Sequence, residues 1–147
     1  MLEIEYIVED AGWADCRINN GETVTECNVS YLHDTLLELA QSAIKIQNRK
    51  NVSVVFMSEP GEHQLILNRI NETDIDFELR WYSDWASLGM YDENDFEIMQ
   101  SGKTTVAKYV NQIRNLMLKI MDEIGAELYN EKWVSHEFPI AEFNQLK

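Results

Sequence analysis

Proline is nearly absent from this chain, with 2 residues in 147, and glycine is scarce at 6. That excludes a low-complexity or Pro/Gly-rich disordered chain and predicts a folded one. Cysteine is limited to Cys16 and Cys27, too few for a disulfide framework, so both read as small buried hydrophobes. Long hydrophobic runs are missing as well. Nothing approaches the ~20 apolar residues that span a bilayer, which excludes a membrane-crossing helix. Acidic residues stand in the first six positions, where a signal peptide carries basic ones, so a cytoplasmic protein is expected. Positive charge is the last scarcity: 12 Lys and Arg stand against 26 Asp and Glu, for a net charge of −14. Such a field repels nucleic acid and anionic lipid and attracts cationic partners.

What is present is regular alternation. Over Asp74, Ile75, Asp76, Phe77, Glu78, Leu79, Arg80 and Trp81, charged and apolar residues take turns without a break. A strand sends successive side chains to opposite faces, so this one has a dry side and a mainly acidic wet side. Leu2, Ile4, Tyr6 and Val8 alternate with Glu3, Glu5, Ile7 and Glu9, an inner apolar face against a mainly acidic outer one. A hairpin is expected around Asn19-Asn20-Gly21-Glu22. With Ile18 opposite Thr23, it would set Cys16 and Cys27 diagonally, too far apart for an unstrained disulfide.

A helix is expected over 31–48, capped by Asn28 or Ser30, with Leu32, Leu36, Leu39, Ala40, Ala43 and Ile44 as its buried stripe. Strands follow at 52–57, 63–70 and 74–82, then an irregular segment at 83–94 and a further strand near 95–100. The longest helix, 106–124, is capped by Thr104 or Thr105 and stopped by Gly125. The tail, 127–147, holds Tyr129, Trp133, Phe138, Phe143 and Leu146. That is too much apolar surface to leave in water, so it is expected to dock.

The expectation is one domain over 1–147 of the α+β class. It would be a two-layer sandwich in the order βββαββββα, with a single antiparallel sheet of six to seven strands and two helices packed on one face. Charge sorts by segment: residues 1–29 hold seven acids and one base, and 51–103 hold eleven acids and three bases, whereas both helical segments carry one net positive charge. The acid therefore belongs to the strands and their loops. The wet face could simply be solvated, or it could dock a cationic protein.

Chemistry is not legible. Gln100-Ser101-Gly102-Lys103-Thr104 ends like a phosphate loop, but Glu97 occupies the position of its first glycine. Asp92-Glu93-Asn94-Asp95 lacks the spacing of a calcium loop. His33, His63 and His136 are far apart and at no metal-ligand spacing. No catalytic residue, metal or cofactor is assigned, and the chain does not read as an enzyme.

Gly12-Trp13-Ala14, Ser30-Tyr31-Leu32, Glu59-Pro60-Gly61-Glu62, and Trp133 with Phe138-Pro139 together resemble a family of small acidic bacterial proteins of uncharacterised activity. Size and composition also resemble the immunity proteins that neutralise a cognate bacterial toxin. The second resemblance implies a non-catalytic protein that meets a basic partner. The residues expected to meet it are the acidic strand positions Glu3, Glu5, Asp74, Asp76 and Glu78, with Asp84, Trp85, Tyr91 and Asp92 from the irregular segment. Two other readings stand beside this one: a homo-oligomer paired through the tail or an edge strand, and a small-ligand binder with a pocket near Trp85.

Overall fold

The computed structural model describes residues 2–134 and 136–146. Within these residues seven strands and four α-helices follow one another as β1 (Glu3–Val8), β2 (Trp13–Asn19), β3 (Val24–Ser30), α1 (Thr35–Lys45), β4 (Asn51–Met57), β5 (Glu62–Arg69), β6 (Asp74–Tyr82), β7 (Glu97–Thr105), α2 (Val106–Glu123), α3 (Gly125–Trp133) and α4 (Ile140–Leu146). The α+β class and the order of strands and first two helices match the expectation. The single sheet does not. The strands form two antiparallel sheets, β1-β2-β3 and β4-β5-β6-β7, and the tail supplies two helices of its own.

The division falls between β3 and β4, and its cause is chemical. At Val55 on β4 the first turn of α1 takes both backbone groups. The amide donates to the Glu38 carboxylate, and the carbonyl accepts from Thr35 Oγ1 at 3.0 Å. At that residue the edge keeps no free backbone group for a further strand. Side chains bridge the two edges instead: Ser58 Oγ donates to the carbonyl of Asn28, and Ser30 Oγ donates to Glu59 at 2.9 Å.

Both sheets line one core. Ile4, Cys16, Ile18 and Val29 come from the first, and Val54, Leu65, Phe77 and Leu79 from the second. Helix α1 adds Leu36, Leu39 and Ala43, and α2 adds Tyr109, Ile113 and Met117. The alternation of β6 holds: Ile75, Phe77 and Leu79 are buried, while Asp76 on the other side is exposed. The hairpin register differs from the expected one. Cys16 lies directly opposite Cys27 and Ile18 opposite Thr25. Asparagine side chains set this turn, because Asn19 Oδ1 accepts from Gly21 N and Asn20 Oδ1 accepts from Glu22 N and Thr23 N. Both cysteines are free thiols, and burial pushes the Cys27 thiol up to about 12, so neither is poised as a nucleophile.

Helix α1 starts later than expected. Asp34, not Asn28 or Ser30, accepts from Leu37 N as the cap, which leaves Leu32 outside the helix and exposed. At its other end Arg69 donates to the carbonyls of Ile46 and Gln47 at 3.2 and 3.0 Å, satisfying groups a helix terminus otherwise leaves open. Thr105 caps α2 as expected, accepting from Lys108 N. The run containing Gly102, Lys103 and Thr104 is plain β7 strand, with Lys103 paired to Asp76 at 3.2 Å, so it is no phosphate loop.

The tail docks. Tyr129, Trp133, Phe138, Phe143 and Leu146 are all buried, and their rings stack edge to face from Tyr129 through Phe138 to Phe143. His136 Nε2 donates to the carbonyl of Tyr31 at 3.0 Å, while its Nδ1 faces Asp34 at 3.6 Å.

Gln100 locks the hairpin tip onto β7. Its side-chain amide donates to Ile18 O, Thr23 O and Thr25 Oγ1 at 2.9, 3.2 and 2.8 Å. Gln100→Ala takes the donor from the buried acceptors Ile18 O and Thr25 Oγ1 and is expected to cost about 2 kcal/mol. Urea unfolding checks this, and a loss below about 0.5 kcal/mol would show that the tip is held by packing alone.

Candidate protein-binding face

The outer face of the four-stranded sheet is not wet throughout. Met57, Glu62 and Tyr82 point to that side, yet they are 2%, 0% and 1% exposed. The irregular segment 83–96 lies over them and is pinned at three places. Trp85 Nε1 donates to Ser58 O and Gly61 O at 2.8 and 3.1 Å. Ser87 donates to Glu62 through its hydroxyl at 2.7 Å and its backbone N–H at 3.2 Å. Tyr82 Oη donates to Glu93 O at 2.8 Å. A single 3-10 turn at Ala86–Leu88 makes the crossing, and Gly89, with φ of +75°, ends it.

Having crossed, the chain exposes what a core would normally bury. Leu88, Met90 and Ile98 are 60%, 58% and 55% exposed, and Met99 beside Ile98 is exposed too. Met99 is the extra residue of a bulge, since Leu79 pairs with Gln100 and Arg80 with Ile98. The bulge turns two successive apolar side chains to water on an outer strand. Between and beside them stand the exposed acids Asp92, Glu93, Asp95 and Glu97.

The residues singled out from sequence fall in three places. Glu3 and Glu5 are exposed on β1, in the three-stranded sheet. Asp74, Asp76 and Glu78 lie on β6 in the other sheet, where cations neutralise two of them: Asp76 pairs with Lys103 and Glu78 with Arg80. Arg80 is held further by Phe96, its guanidinium carbon 4.2 Å from the ring centroid. Asp84, Trp85, Tyr91 and Asp92 stay together in the crossing segment. There Trp85 is half-buried as an anchor, Asp84 accepts from Trp85 N at 2.7 Å, and Tyr91 Oη donates to Asp95 at 2.7 Å. Asp92 is exposed and accepts from Asn94 N.

Glu62 is the residue the sequence hid. Its place after Pro60-Gly61 reads as turn, whereas it opens β5 and is fully enclosed, with both oxygens accepting hydrogen bonds. Next to it His63 faces the core, 4.7 Å from the Trp81 ring, and burial pushes its imidazole down to about 4. His33 is shifted the other way. Its partial burial disfavours charge, but the hydrogen bond and charge of Glu38 at 3.1 Å prevail and raise it. Among the described residues no group of three His, Cys, Asp or Glu is placed to hold a metal ion, and no helix is long and apolar enough to cross a membrane.

Comparison of the chain with protein-family models, curated proteins and solved structures finds no match in any of the three.

Proposed function

We propose that this is a non-catalytic binding protein, of the immunity type, that engages a basic protein through residues 84–99. The observation that carries the reading is the exposure of Leu88, Met90, Ile98 and Met99 among Asp92, Glu93, Asp95 and Glu97. Exposed apolar side chains interspersed with charge of one sign fit a partner that offers both apolar and cationic side chains. The acids steer the encounter, and the methionines, soft and unbranched, adapt to the surface they meet. The net charge of −14 extends the attraction beyond contact distance. Two buried reduced thiols fit the cytoplasm as the place of action. Of the tail's apolar side chains, Tyr129, Trp133, Phe138, Phe143 and Leu146 are enclosed by the chain's own core, while Leu128, Val134 and Ile140 stay exposed.

Affinity capture tests the proposal with the wild type and a Met90→Lys/Ile98→Lys variant as baits, at about 0.05 and 0.5 M salt. The expected result is a basic protein held by the wild type at low salt, depleted at high salt and absent from the variant. Recovery of no basic protein at either salt, or equal recovery by both baits, overturns it.

A further inference from the structure

Beside the exposed segment lies a cavity of about 460 Å³, between the crossing chain and the outer face of β4, β5 and β6. Ser53, Gln64, Arg80, Ser87, Glu93 and Asn94 are among its walls. Two of these walls, Ser87 and Gln64, are the residues that hydrogen-bond the enclosed Glu62 carboxylate, at 2.7 Å each. All of those bonds come from neutral donors: the Ser87 hydroxyl, the Ser87 backbone and the Gln64 amide. A negative charge on that carboxylate would be screened far less by the surrounding protein than by water. Gln64 gives its amide N–H to Glu62, which leaves its carbonyl oxygen as an acceptor. At the rim Glu93 adds an exposed carboxylate. The cation in the wall, Arg80, is already committed: its Nε donates to Glu78 and its guanidinium lies over Phe96.

We propose that this cavity is a socket for one cationic side chain, a lysine or arginine of the basic partner. The inference rests on the binding reading above and deepens it, by placing a charged anchor next to the apolar contact. Anchor residues that enter a preformed pocket near the centre of an interface carry much of its binding energy. The volume admits a full arginine side chain.

The test needs no partner, so its outcome is independent of whether a basic protein is captured. The protein is titrated with n-propylguanidinium and n-butylammonium, and with propionate as the anionic control, while the side-chain amide resonances of Gln64 and Asn94 are followed by NMR. The expected result is a saturable shift of both amides with the cations and none with propionate. Glu93→Gln, an exposed change that leaves the backbone carbonyl bonded to Tyr82 in place, is expected to weaken the cation about threefold or more. Glu62→Gln is expected to weaken it as well, read only on protein whose amide spectrum remains dispersed. Absence of a saturable shift, an equal shift with propionate, or unchanged cation affinity in Glu93→Gln overturns the socket.

Discussion

Trp133→Ala is expected to lower the unfolding free energy by about 3–5 kcal/mol, the range for truncating a large buried aromatic. Trp133 is fully enclosed at the end of α3, 6.4 Å from the Tyr129 ring, and belongs to the core shared with α1 and α2. Its loss opens a void that α3 cannot close. The backbone of the same helix holds the first turn of the chain, since Gly12 N donates to Lys132 O at 2.8 Å. The damage should therefore extend to the β1–β2 connection and to Tyr31, whose amide donates to Gly12 O. Chemical unfolding of the variant against the wild type measures the cost. A loss below about 1 kcal/mol would mean that the tail is an accessory rather than part of the core.

Gly61→Ala is expected to cost about 2–4 kcal/mol and to release the segment 83–96. Gly61 has φ of +83°, and a Cβ there would lie 2.4 Å from Trp81 Cη2 and 2.7 Å from Tyr82 O. Neither neighbour yields easily, because one is a large ring against His63 and the other is strand backbone. Gly61 O also accepts from Trp85 Nε1, so displacing the turn withdraws an anchor of the crossing chain. Gly89→Ala separates strain from collision. Its φ of +75° is similar, but a Cβ there meets nothing within 4 Å, so only the conformational cost of about 1 kcal/mol applies. Equal losses in the two variants would contradict the close approach at Gly61. Tryptophan fluorescence should change in Gly61→Ala and stay constant in Gly89→Ala.

Local pattern made some of this legible and long-range hydrogen bonding hid the rest. The alternation of β6 and the three- and four-residue spacing of Leu36, Leu39, Ala40 and Ala43 predicted which sides are buried, because burial follows backbone period directly. The expected single sheet failed where Glu38 and Thr35 take the backbone of Val55 at the β4 edge, side chains of a helix whose position the strands do not announce. The hairpin slipped by two residues because the asparagine side chains, not the Asn-Gly pair alone, choose the turn. At the candidate face, Trp85 and its neighbours were visible as aromatics in an irregular stretch. Their division into anchors and exposed contacts was not, since it depends on Ser58 and Gly61 more than twenty residues away. Ile98 and Met99 escaped notice for a related reason: strand alternation would bury one of the two, and only the bulge exposes both.

Methionine oxidation footprinting tests the central claim most directly. In the free protein Met90 and Met99 are exposed, while Met57 and Met117 are enclosed, so peroxide should convert the first pair to sulfoxide well before the second. In complex with the captured basic protein, Met90 and Met99 are expected to become protected while the enclosed pair is unchanged. Oxidation of Met90 and Met99 at the same rate in the complex as in the free protein would contradict the assignment of residues 84–99 as the binding face.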